Sequence, residues 1–217
     1  MISATPEARR EDLVFLQNGF LGPFLESKGL GSASQGLVYF AVAKLGEAPT
    51  DGVTSVNPEG LTAATGKWAE AFQTRLAVAG LKCHVRQGDE FVKAMLEKHV
   101  WICAFMAVGA SHGGCTVGEV EEAYALEFDA LASEMVAAGE ADLGVTLDAG
   151  YLERLKAYGR AVAHFPTAVK EFKWRNGYFY KLSCDALKKG HADPLPIHTR
   201  TLRSLKIPEI EEHGEDL

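Results

Sequence analysis

Residues 95–119 read MLEKHVWICAFMAVGASHGGCTVGE, and this stretch decides how the rest of the chain is read. Its uncharged apolar run, 100–110, is far short of the roughly 20 residues that a membrane span requires, so it predicts a buried core helix. The pair Glu97-Lys98 precedes the run and a glycine-rich turn at Gly113-Gly114 follows it. A lysine at the mouth of a buried helix is a candidate for chemistry.

Upstream, the texture is that of an α/β protein. Residues 13–16 form a short apolar run closed by Gln17-Asn18-Gly19, as expected of a buried strand entering a turn, and such strands belong to parallel sheets. A short helix is expected at 23–26 and a second buried strand at 36–42, rich in β-branched and aromatic residues. Two further strands are expected within 51–66, joined by the Asn57-Pro58-Glu59-Gly60 turn, then a helix over 67–79 and a last strand over 81–86.

Downstream, only helices are expected. Val120, Tyr124, Phe128, Leu131 and Met135 recur at steps of three and four, with Glu121, Glu122, Glu127 and Glu134 mostly opposite, the pattern of one amphipathic helix. Asp148 is a candidate N-cap for a helix whose stripe is Leu152, Leu155 and Val162. Pro166 interrupts the path, and a further helix is expected over 168–189. The expected fold class is therefore α/β followed by all-α: an α/β portion over 1–87, a helical portion over 88–207 and an acidic, loosely attached tail over 208–217.

The formal charge of -7 excludes a general nucleic-acid binder, because phosphate neutralisation needs a basic stripe and Lys188-Lys189 is too small a patch. The first residues, MISATPEARRED, have no apolar segment after their charges, so no secretory signal is expected. The four cysteines lie far apart without a C-x-x-C pair, which fits reduced thiols in a soluble intracellular protein. Cys83-His84 and His112-Gly-Gly-Cys115 lack the paired spacing of a structural zinc site and are read as packing cysteines and loop histidines, with no metal expected.

Three segments carry a resemblance. Phe15-Leu16-Gln17-Asn18-Gly19, the stretch 95–120 with Lys98 and Thr116-Val117-Gly118-Glu119, and Glu171-Phe-Lys-Trp-Arg-Asn176-Gly177 with Pro194 and Pro196 beyond it resemble the active-site segments of the ketopantoate reductase family. The resemblance implies a partial Rossmann-type sheet followed by a C-terminal helical domain used for substrate binding and dimerisation. It implies NADPH as cofactor and reduction of a 2-keto acid to a 2-hydroxy acid. By it, Lys98 is the general acid, Glu171 orients a substrate hydroxyl and Asn18 contacts substrate and nicotinamide. Hydride delivered to a ketone carbon leaves charge on oxygen, which an ammonium can stabilise and protonate.

Each residue also has a plainer reading. Lys98 can snorkel to solvent or pair with Glu97 or Glu171, Asn18-Gly19 is a common turn, and Glu171 can be a helix-start acid. The chain departs from the family as well. Where family members carry asparagines four and eight residues after the lysine, Ile102 and Met106 stand, so a polar substrate loses donors at about 1 to 3 kcal/mol for each buried partner left unpaired. The family's serine before the glutamate has no clear counterpart, with His164 and Thr167 as candidates. No G-x-G-x-x-G follows a strand and opens a helix, and Gly29-Leu30-Gly31 comes in the reverse order.

The resemblance thus places the start of the chain past the middle of the family's nucleotide domain. A fragment or shortened relative with impaired catalysis is one expectation. A non-catalytic interaction protein that reuses the helical portion is the other. An uncovered strand near Leu13 predicts association with itself or another chain.

Overall fold

The computed structural model describes residues 2–41, 45–207 and 210, with the side chain of Gln17 left aside. The chain divides into two compact units, Met1–Met95 and Leu96–Leu217.

The first unit opens with two 3-10 segments, Ile2–Ala4 and Glu7–Asp12, and continues through β1 (Val14–Gln17), α1 (Gly22–Ser27), β2 (Ser34–Leu37), β3 (Ala63–Thr65), α2 (Ala69–Val78) and β4 (His84–Val85). The strands lie in the order β1-β2-β3-β4. β1 and β2 run parallel because α1 carries the chain back between them. The first strand is parallel to its neighbour, as expected, but the sheet as a whole is mixed. Between β2 and β3 the described residues hold no helix to serve as a crossover, and the two strands pair antiparallel, while β3 and β4, separated by α2, pair parallel.

Apolar side chains pack together, Phe15 with Leu25, Leu30 and Ala33, and Ala64 with Ala69, Leu76, Leu81 and Cys83. The second strand is shorter than expected, ending at Leu37, and residue 42 lies outside the described residues. The stretch 51–66 holds one strand rather than two. Its backbone is engaged locally instead: the Asp51 carboxylate accepts from the amides of Gly52 (2.8 Å) and Lys82 (2.9 Å), and the Thr54 hydroxyl accepts from the amide of Asn57 (3.0 Å). The expected turn is present, Gly60 donating to the Asn57 carbonyl at 3.1 Å with φ +89°.

The helix quoted at the outset is α3 (Asp89–Ser111), about three turns longer than its apolar run, nearly all of it on the N-terminal side, where Asp89 and Glu90 favour the first turn. The second unit continues with α4 (Val117–Ala123), α5 (Ala125–Leu143), α6 (Tyr151–Ala161), a 3-10 turn (Phe172–Trp174), α7 (Asn176–Lys188) and α8 (Pro196–Ser204). Phe105, Phe128, Phe179, Leu131, Met135 and Leu202 are fully buried, the Phe105 and Phe128 rings 4.1 Å apart. Gly159 makes room for Phe105: a Cβ there would lie 2.7 Å from its Cζ. No described helix is long and apolar enough to cross a membrane.

Four expectations are corrected here. The single helix over 120–135 is two, broken at Tyr124, whose ring stacks on His112 at 3.5 Å. Asp148 is not an N-cap; Gly150 occupies that place at φ 81°, and the Asp148 carbonyl accepts from Arg154 instead. The helix over 168–189 begins only at Asn176, since Pro166 bridges to Thr116 and Thr167 is tied to Cys115, which holds the chain extended. α8 was not expected; Pro196 starts it, and the Glu134 carboxylate accepts from the Ile197 amide at 2.8 Å, capping it from another helix. The tail lies outside the described residues apart from Ile210, which is buried with Phe172, Tyr180, Leu202 and Ile207.

Candidate functional site

The second unit buries an unusual amount of polar chemistry: Lys98, His99, Thr167, Asn176, Ser183, His198 and Thr199 are all buried. α3 places Lys98, Ile102 and Met106 at successive steps of four, hence along one face. Lys98 is 6% exposed and does not snorkel. Burial, with the positive charge of Arg175 added to it, pushes its ammonium down to about 7. Neither carboxylate weighed as its partner is turned to it alone. Glu97 clamps Arg154, at 2.7 Å to Nη2 and 2.9 Å to Nε, and Glu171 pairs with Arg175 at 2.6 Å.

Arg175 is the hub of the site and was missed by sequence reasoning, although it stands inside the EFKWRNG segment. Its side chain is 12% exposed. Nη2 meets Glu171, while the buried Nε has no partner among the described residues. The Arg175 carbonyl lies 3.1 Å from Nε2 of His99, which fixes the proton on that nitrogen because a carbonyl only accepts. His99 is held neutral, its value pushed down to about 4 chiefly by burial. Burial pushes the Cys103 thiol up, against the pull of the Arg175 charge.

Glu171 sits at φ 50°, a left-handed conformation for a residue with a side chain. From there its carbonyl accepts from the amides of Trp174 (2.9 Å) and Arg175 (3.2 Å), so the 3-10 turn brings its carboxylate round to the guanidinium. Gly177 closes the turn, since a Cβ there would lie 2.6 Å from the Phe172 carbonyl. Asn176, 1% exposed, is not a solvent-facing ligand group: its Oδ1 is 2.9 Å from Nε2 of His198. His198 is fully buried and pushed down to about 3 by burial, the nearby Asp193 opposing.

A cavity of ≈ 380 Å³ opens beside Glu171 and Thr167, lined also by Gly114, Phe172, Lys206 and Ile207 among others. Of the two candidates for the family's serine, Thr167 faces this cavity beside Glu171, its hydroxyl donating to the Cys115 carbonyl at 2.5 Å. His164 is exposed and packs edge-on against Phe165. Thr116-Val117-Gly118-Glu119 is a helix start: Glu119 accepts from the Thr116 amide at 2.6 Å while Thr116 accepts from the Glu119 amide at 3.3 Å, a reciprocal cap.

Asn18 belongs to the first unit, exposed at the bend that follows β1. The turn there reads Asn18-Gly19-Phe20-Leu21-Gly22 and leads into α1, only six residues long. Gly29 ends α1 at φ 68°, where the Leu30 amide returns to the Leu25 carbonyl at 2.8 Å. These glycines serve turns, and the described residues offer no three-glycine cradle for a dinucleotide pyrophosphate. All four cysteines are free. Among the described residues no His, Cys, Asp and Glu side chains gather as a metal would need. His84 lies 3.0 Å from the Glu59 carbonyl and His112 pairs with Glu127 at 2.8 Å.

The sequence matches no protein-family model and no curated protein. The structure does match solved ones. It is similar to a PanE/ApbA family ketopantoate reductase from Ralstonia eutropha JMP134, with a TM-score of 0.65 at 17% identity over 89% of this chain and 65% of that one. It is similar to 2-dehydropantoate 2-reductase from Methylococcus capsulatus, with a TM-score of 0.61 at 15% identity over 91% of this chain and 66% of that one. It is also similar to D-mandelate dehydrogenase in complex with NADH, with a TM-score of 0.59 at 12% identity over 92% of this chain and 76% of that one. The chain thus has the ketopantoate reductase fold, a partial Rossmann-type sheet followed by helices, and spans about two thirds of the length of the two ketopantoate reductases.

Proposed function

We propose that this chain is built for 2-keto acid reduction to a 2-hydroxy acid, with Lys98 as the group that protonates the developing alkoxide. The observation that carries the reading is Lys98 itself: a lysine buried on α3, with its proton affinity drawn to about 7, in a chain whose fold is that of the ketopantoate reductases. An acid is most useful when its affinity lies near the working pH, and an ammonium in a water-poor setting stabilises an oxyanion strongly. Glu171 lies on the cavity wall, exposed enough to accept a hydrogen bond from a substrate hydroxyl. Asn18 is assigned a contact with substrate and nicotinamide, as an amide that donates and accepts without changing charge.

Ile102 and Met106 turn the face of α3 beyond Lys98 apolar, which favours a substrate whose side chain is less polar than that of ketopantoate. NADPH is the hydride source by family likeness. These residues alone do not fit its pyrophosphate, and the roles assigned to them stop at binding, orientation and proton delivery.

Lys98→Met is expected to lower turnover of a 2-oxo acid by about a hundredfold or more, measured as loss of NADPH absorbance. Unchanged turnover would remove Lys98 from the chemistry. Absence of NADPH binding by the chain, followed by fluorescence, would exclude autonomous catalysis and favour the second reading, a non-catalytic interaction protein. That reading draws on β1, the terminal strand of the sheet, where Leu16 is 56% exposed. Self-association or docking to another chain through this strand is proposed on the same ground. Sedimentation at high concentration checks it, a monomer being the contrary result.

A further inference from the structure

The guanidinium of Arg175 pairs with Glu171, a carboxylate on the cavity wall, and the reaction as assigned does not otherwise use it. Its buried Nε has no partner among the described residues, and Nη2 is paired with Glu171, whose own side chain is 59% exposed. The backbone behind it is fixed by His99 on the Arg175 carbonyl and by Gly177 against Phe172. In a 2-oxo acid the carboxylate and the ketone are on adjacent carbons. The group that binds the carboxylate must therefore neighbour the group that protonates the ketone oxygen.

We propose that Arg175 anchors the carboxylate of the 2-oxo acid, with Glu171 as its resident counterion in the unliganded protein. This rests on the reading of Lys98 as proton donor and deepens it. A guanidinium offers a planar pair of donors matched to a carboxylate, and it supplies the polar anchor where Ile102 and Met106 offer none. The anchor also serves Lys98. Arg175 is the cation that disfavours the charged lysine, so a carboxylate arriving on Arg175 offsets that repulsion and the ammonium is favoured once the acid is bound. Beside this pair His99 is kept neutral by burial and Cys103 stays a thiol.

The test is calorimetric titration of the whole 217-residue chain with 2-oxoisovalerate and with its uncharged amide. The acid is expected to bind more tightly than the amide. Arg175→Gln should weaken the acid by about tenfold to a hundredfold and leave the amide nearly unchanged, and Arg175→Lys should recover part of the loss. Glu171→Gln should tighten the acid several-fold, because 2-oxoisovalerate has no hydroxyl for Glu171 to hold and the competing carboxylate is gone. Loss of acid and amide alike in Arg175→Gln with no recovery in Arg175→Lys, or weaker acid binding in Glu171→Gln, would overturn the anchor while leaving the 2-keto acid reading in place. If isobutyrate binds as tightly as 2-oxoisovalerate and with the same dependence on Arg175, the anchor stands and the reading falls. Failure of the wild-type chain to bind any of these ligands would overturn both.

Discussion

The two units of this chain use their side chains differently. Among the described residues of the first, Met1–Met95, the buried polar side chains are Ser34, Thr54 and Thr62, and none of them titrates in the physiological range. The second, Leu96–Leu217, buries a lysine and two histidines beside an asparagine and an arginine. Among the described residues, the exposed large apolar side chains are Leu16, Leu45, Val53, Val56, Trp68 and Val78 in the first unit, and Leu126 and Leu187 in the second. Strands of two to four residues cannot close a core as well as helices of up to twenty-three. The first unit therefore leaves apolar surface to be covered, and the second can bear the cost of hidden charge.

The sharpest way to break this contrast is acid. Both buried histidines have folded values below the ordinary 6.5, about 4 for His99 and about 3 for His198. Between those values and 6.5 the unfolded chain binds more protons, so the stability held in the neutral rings is complete above about pH 6.5 and is lost as pH falls. The expected loss towards pH 4 is on the order of 3 kcal/mol for each ring. Hydrogen exchange at pH 7 and pH 4 should show protection falling in the second unit first; earlier loss in the first unit would contradict the contrast.

Close backbone approaches give the next effect. A Cβ on Gly109 would lie 2.1 Å from the Thr167 hydroxyl, inside packed helical structure, and Gly109→Ala should cost about 3 kcal/mol in urea unfolding. A Cβ on Gly52 would lie 2.4 Å from Tyr39, but the strandless segment around Gly52 can shift, so Gly52→Ala should cost about half as much. Equal costs would mean that the first unit is as tightly packed as the second.

Lys98→Met should act in the opposite direction. The folded lysine is depressed to about 7, so the unfolded chain binds the extra proton between pH 7 and 10.5, and the wild type gains stability as pH rises through that window. Removing the charge should stabilise the protein by about 2 kcal/mol at neutral pH and flatten that rise, measured by thermal melts between pH 6 and 10. A destabilised variant would show that Lys98 is well satisfied in place. Smallest of all, Thr116→Ala removes the reciprocal cap with Glu119 and should cost about 1 kcal/mol.

The long elements were legible because their signal is long. The apolar run of 100–110 sat in α3, and β1, α1 and α2 fell within a residue or two of their expected places. The misses share a cause, contacts from afar that override local pattern. Tyr124 left its helix to stack on His112, Thr167 and Pro166 held back the start of α7, and Glu134 capped α8 from another helix. At the candidate site, Lys98 and Glu171 were named from the resemblance. Arg175 stood inside the segment that carries the resemblance but had no role by it, and the left-handed turn at Glu171 brought the two charges together.

By itself the sequence determined an α/β portion followed by helices and a lysine at the start of a buried apolar run. Composition and periodicity carry such facts because they are sums over many residues. The tertiary structure decided that the sheet is mixed, that Glu97 serves Arg154, and that Lys98 shares its surroundings with Arg175 and loses proton affinity there. Those facts depend on burial and on the field of a charge 77 residues away in sequence (175 − 98), and no local pattern in a chain encodes either.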